Sequence, residues 1–151
     1  MALVRCLPCK HLIVQLTRRA LSNPVEAYYL LAHETVHLLS PSAETARAIE
    51  EGVAETFAAR LVEWQTGTKD YTRRRHHNRA YHDAHDAVLE LEARVGSRAV
   101  KQLRAIQPHW EALRPDHFAS LGITDERLVH RLLKPIPLND ILARRREWII
   151  A

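Results

Sequence analysis

His33-Glu34-Thr35-Val36-His37 sets two imidazoles four residues apart with a carboxylate directly after the first. On a helix, residues four apart are offset by about 40° net and about 6 Å of rise, so both rings project from one face toward a single divalent ion. Glu34 lies beside them and can reach a water held there without itself binding the ion, which is the placement general-base chemistry requires. The HExxH pattern therefore points to a hydrolytic metal site, provided a helix carries it.

A tetrahedral catalytic zinc needs a third protein ligand and an open position. Ile49-Glu50-Glu51-Gly52-Val53-Ala54-Glu55 lies downstream, with thirteen residues between His37 and Glu51. That interval holds a turn and about two helical turns folding back on the first helix. Glu51 is the expected third ligand, with Glu55 the competing choice. Glu55 faces the same way one turn later, where it can accept the remaining N–H of His33 and fix the ring's tautomer. Gly52, Ala48, Ala54 and Ala58 would let the two helices approach closely on the glutamate side. The opposing reading makes Glu50, Glu51 and Glu55 a solvated face shared with Arg47 and Arg60.

The elements needed to position these groups are legible nearby. Asn23 is a good N-cap, Pro24 suits the first helical position, Glu26 complements the helix dipole and Ser40-Pro41 supplies a stop, so the spacing predicts a helix from Pro24 to Leu39. A second helix is expected from Ala43 to Trp64, with an apolar stripe of Ile49, Val53, Phe57, Leu61 and Trp64 and a stop at Gly67. Tyr81, Ala84, Val88, Leu91 and Val95 predict a third helix ending at Gly96, and Ser97 can cap a fourth reaching Gln107. Shorter helices are expected over 116–121, 124–133 and 139–148. Ala2 to Leu7 and Leu12 to Leu16 suggest two short strands or a hairpin, although Ile13, Leu16 and Ala20 also fit a helical spacing. The expected fold is a mainly α, compact zincin-like helical domain with a short N-terminal strand or hairpin, and residues 1–151 form one unit.

Within this setting the sequence resembles the gluzincins, zinc peptidases with HExxH on one helix and a ligand glutamate on the next. Glu51-Gly52-Val53-Ala54-Glu55 is similar to the Asn-Glu-Gly-Phe-Ala segment of aminopeptidase-like members, with Glu50 in place of the usual asparagine. The resemblance implies Zn²⁺ held by His33, His37 and Glu51, Glu34 as the catalytic base, and Glu55 as support. It extends to Ala80-Tyr81-His82-Asp83-Ala84, which implies Tyr81 as a hydroxyl donor to the oxyanion. The competing role for Tyr81 is packing, and His85 is a second candidate donor. The similarity covers roughly residues 24–91. The short spacer implies a compact variant, and the missing amine-binding motif of the large aminopeptidases favours endopeptidase action on a peptide or protein substrate.

Composition bounds the alternatives. A chain of 151 residues with 46% apolar and 26% charged residues and four glycines suits one folded domain rather than a low-complexity or disordered chain. His33, Glu34 and His37 interrupt the longest apolar stretch, and no membrane span or secretory leader is expected. Only Cys6 and Cys9 occur, too few for a disulfide framework, so a reducing cytoplasmic setting is expected; free thiols are favoured over a zinc half-knuckle or a redox pair. Lys and Arg exceed Asp and Glu by 22 − 18, or +4, which is modest for a nucleic-acid binder. The clusters 73–77 and 144–146 lack interleaved aromatics, so a nucleic-acid-binding module is disfavoured, and a zincin-like binding or sensor protein without catalysis is the other alternative. Nothing in the sequence sets the oligomeric state.

Overall fold

The computed structural model describes residues 3–6, 12–40, 46–69 and 79–136. The expected 139–148 helix, both basic clusters and Cys9 lie outside these residues.

The chain begins with an antiparallel hairpin of β1 (Leu3–Cys6) and β2 (Leu12–Gln15), in which Leu3 is opposite Gln15 and Cys6 opposite Leu12. The strand reading of Leu12 to Leu16 thus prevails over the helical one. A short helix absent from the sequence reading, α1 (Arg18–Ser22), leads into α2 (Pro24–Leu38). Asn23 caps α2 as expected: its side-chain oxygen accepts from the Glu26 N–H at 3.1 Å, a contact worth about 1 kcal/mol at such positions.

The next helix starts later than expected, because Ala46–Arg47 form a two-residue strand, β3, before α3 (Ala48–Thr66) begins. Strand β3 pairs antiparallel with β4 (Pro135–Ile136), and the Ala48 N–H donates to the Lys134 carbonyl at 2.8 Å. Gly67 ends α3 with a left-handed φ of 68°, as a helix stop requires. Helix α4 (Arg79–Val95) follows, then α5 (Ala99–Ile106), a 3-10 turn at Trp110–Ala112, α6 (Pro115–Ala119) and α7 (Glu126–Leu133). The expected Ser97 cap is not used: Arg98 occupies the N-cap position without a side-chain bond. Among the described residues no helix is long and apolar enough to cross a membrane. The protein is mainly α.

The expected apolar stripe on α3 holds only in part, since Ile49 is fully buried but the later members are not. Phe57 and Trp64 are exposed, at 45% and 77%, and Val53 and Leu61 are only half-buried. The buried residues are Ala48, Ile49, Glu50, Glu51, Gly52, Ala54, Glu55, Thr56, Ala58 and Val62. Helix α3 is wedged between α2 and α4, so small residues that admit two neighbours displace the bulky ones from its contact faces. Gly52 meets α4, not α2: an added Cβ there would lie 2.3 Å from the Ala84 carbonyl oxygen. Ala58 packs with Tyr29 and Ala32 of α2.

The C-terminal elements, which carry no motif, supply the main core. Leu103, Trp110, Leu113, Phe118, Leu128 and Leu132 pack with Val36, Ile49 and Leu91. Two arginines tie this core to the ends of the motif helices. Arg47 donates to the Leu113 and Glu111 carbonyls at 2.8 and 2.7 Å, while Arg104 stacks over Trp110 and donates to the Leu39 carbonyl just past α2.

Candidate metal centre

Helices α2 and α3 run antiparallel, so that Tyr29, His33 and His37 on one oppose Glu55, Glu51 and Glu50 on the other. His33 and His37 lie on one face, as their spacing predicts, with their Nε2 atoms 3.2 Å apart. Glu51 enters from α3: its Oε2 is 3.3 Å from His33 Nε2 and 3.7 Å from His37 Nε2. These three residues form a group able to bind one metal ion.

The spacing can be tested against an ion. Tetrahedral coordination with bonds of about 2.0–2.1 Å needs ligand atoms about 3.3–3.4 Å apart, and the three observed separations straddle that value. A second observation agrees with this fit. Glu51 Oε2 is buried and makes no well-aligned hydrogen bond, its polar neighbours being the two imidazole nitrogens. Its position facing two imidazole nitrogens suits a cation among them. The N₂O donor set is one that zinc accepts.

Each imidazole also meets a carboxylate on its far side. Glu55 Oε1 lies 3.0 Å from His33 Nδ1, as expected; the contact is a charge pair without straight hydrogen-bond geometry. Glu50 Oε1 lies 2.7 Å from His37 Nδ1, a partnership not expected from the sequence, which suggested for Glu50 only a solvated face or a departure from asparagine. Tyr29 was also missed. It is fully buried, and its hydroxyl donates to Glu55 Oε2. The four-residue recurrence of Tyr29, His33 and His37 along one helix face is the signal that could have identified it.

The electrostatics follow from burial and from this ring of carboxylates. Burial opposes a charge on His33, but the Glu51 and Glu55 carboxylates outweigh it and push the imidazole up to about 10. Burial likewise opposes charge on His37, and its bond to Glu50 and the Glu51 charge raise it. Burial would lift Glu51, yet the two histidines hold its carboxyl below the usual range. Without an ion, imidazole protons therefore balance part of the negative charge.

Glu34 is buried, at 4% exposed. Burial pushes its carboxyl up, while both histidines pull the other way. Tyr81 is buried on α4, one turn before Ala84, on the face that meets α3 at Gly52. His85 is half-buried on the same helix with Nδ1 3.8 Å from Asp86, and burial holds its imidazole below the ordinary value. A surface cavity of about 450 Å³ lies elsewhere, between the end of α4 and the turn before α7. It is lined by Arg94 and Asp125, which are paired at 2.8 Å, and by none of the candidate site residues.

Comparison with protein-family models, curated proteins and solved structures found no match. The functional reading therefore rests on the chemistry of the site.

Proposed function

We propose that the protein is a zinc-dependent peptidase of the gluzincin type, acting as a cytoplasmic endopeptidase. The observation that carries this reading is the convergence of His33 Nε2, His37 Nε2 and the buried Glu51 Oε2 at separations of 3.2 to 3.7 Å. These three residues would hold Zn²⁺. When bound, the ion supplies Lewis acidity, which lowers the pKa of water toward neutrality and polarises a peptide carbonyl.

The chain's own residues supply the rest. Glu34, next to the ligand His33, accepts the proton of the attacking water and passes it to the leaving amine. Its raised carboxyl suits that exchange, because a base poised closer to neutral pH both takes and returns a proton readily. Glu55 and Glu50 hold the ligand imidazoles in the tautomer that presents Nε2 inward. Tyr81 is assigned the donor to the oxyanion formed at the carbonyl, the role implied by its resemblance to the family tyrosine.

A second reading, a metal-binding protein without catalysis, is favoured by the burial of Glu34 and Glu51, each 4% exposed. One experiment separates the two. The purified protein is assayed for metal content and for cleavage of a mixed peptide library, before and after treatment with chelator and readdition of Zn²⁺. One zinc per chain with chelator-reversible cleavage supports the peptidase. Zinc without cleavage supports the binding protein, and absence of metal uptake overturns both.

A further inference from the structure

Tyr29 precedes His33 by one helical turn, and both point from α2 toward Glu55 on α3. The Tyr29 hydroxyl donates to Glu55 Oε2, while Glu55 Oε1 faces His33 Nδ1 at 3.0 Å. On the other side of the ring, His33 Nε2 faces Glu51 and His37. A continuous series of polar contacts thus runs from a fully buried phenol to the converging ligand atoms, starting on α2, crossing to α3 and returning.

We infer that Tyr29 is a positioning residue of the metal centre, acting on His33 through Glu55. This rests on the reading of His33 as a metal ligand. A carboxylate can rotate about the bond to its carboxyl carbon, so one imidazole contact does not hold its plane. Glu55 is 0% exposed, and a protein donor on its second oxygen supplies what solvent offers an exposed carboxylate. With Oε2 engaged by the phenol, Oε1 remains aimed at His33 Nδ1, which keeps the Nε2 lone pair directed at the ion. The arrangement is asymmetric, since His37 is half-buried and is met by Glu50 across one hydrogen bond.

Tyr29→Phe keeps the ring that packs with Ala32, Ala58 and Val62 and removes the hydroxyl. Zn²⁺ affinity is measured by competition with a chelating dye, and the visible spectrum is recorded after loading with Co²⁺. The expected result is about tenfold weaker zinc binding and shifted cobalt bands, the scale seen when a ligand histidine loses such support. In a Glu55→Ala background, or Glu55→Gln should the alanine variant fail to fold, the same substitution should change affinity by less than about twofold. Unaltered affinity and spectrum in Tyr29→Phe overturns the inference, as does an equal loss in the Glu55 variant. A native protein that takes up neither Zn²⁺ nor Co²⁺ overturns the metal-centre reading itself.

Discussion

His37 Nδ1 lies 2.7 Å from Oε1 of Glu50, the residue immediately before the candidate ligand Glu51. Consecutive helical residues diverge by about 100°, so one turn of α3 reaches the metal-facing side of the imidazole pair with Glu51 and the far side of His37 with Glu50. The adjacent glutamates therefore have different tasks. Glu50→Gln retains an acceptor for the ring N–H but loses the charge. It should weaken zinc binding by about tenfold, and Glu50→Ala by up to about a hundredfold. Chelator competition checks both, and equal affinities in all three proteins would remove Glu50 from the centre.

Under the proposed peptidase reading, Glu34 moves a proton and does not hold the ion. Glu34→Gln should keep one zinc per chain and lower peptide cleavage by at least about a hundredfold, the usual weight of a general base. Metal analysis alongside a fluorogenic peptide assay tests this. Loss of zinc from a folded Glu34→Gln protein would make Glu34 a ligand instead.

The metal-stripped protein should show a distinct dependence of stability on pH. His33 is raised in the fold from an ordinary 6.5 to about 10, so its contribution is complete below pH 6.5 and is lost as pH climbs through 10. Glu51 is shifted down from 4.5, so its contribution is complete above that value and is lost as pH falls through the folded pKa. Urea midpoints measured in chelator should therefore decline between pH 7 and 10. Zinc needs the Nε2 lone pairs free of protons, so its affinity should rise over the same interval. A metal-free midpoint that increases from pH 7 to 9 would contradict the assigned His33 contacts.

Gly52 allows α3 to touch α4, since a Cβ would stand 2.3 Å from the Ala84 carbonyl oxygen and 2.7 Å from Val88 Cγ2. Alanine normally favours a helix over glycine by about 1 kcal/mol. Here the overlap is with backbone and should outweigh that gain, leaving Gly52→Ala destabilised by about 1–3 kcal/mol. Because Glu51 is the adjacent residue, zinc affinity should fall as well. Denaturant unfolding of the zinc-free protein and dye competition read the two effects separately, and a stabilised Gly52→Ala would show that the helices can part without cost.

Several features were readable from local sequence because short-range geometry determines them. The Asn23-Pro24 start of α2, the Gly67 stop and the shared face of His33 and His37 depend only on neighbouring residues and helical periodicity. The pairing of Glu51 with the histidines, and of Glu55 with His33, followed from adding one turn and an antiparallel return. The burial pattern of α3 did not follow. Phe57, Leu61 and Trp64 have the spacing of a core stripe, yet Phe57 and Trp64 face outward while four glutamate and glycine positions of the first two turns are buried.

By itself the sequence determined a mainly helical chain with two imidazoles on one helical face and acidic residues within reach of them. Tertiary structure alone decided that Glu50 meets His37 Nδ1, that the Tyr29 hydroxyl meets Glu55, and which residues of α3 are buried. The reason is rotational. Periodicity defines the faces of a helix but not its angle about its own axis relative to its neighbours. That angle is set where Gly52 meets Ala84 and Ala58 meets Tyr29, contacts between residues far apart in the chain.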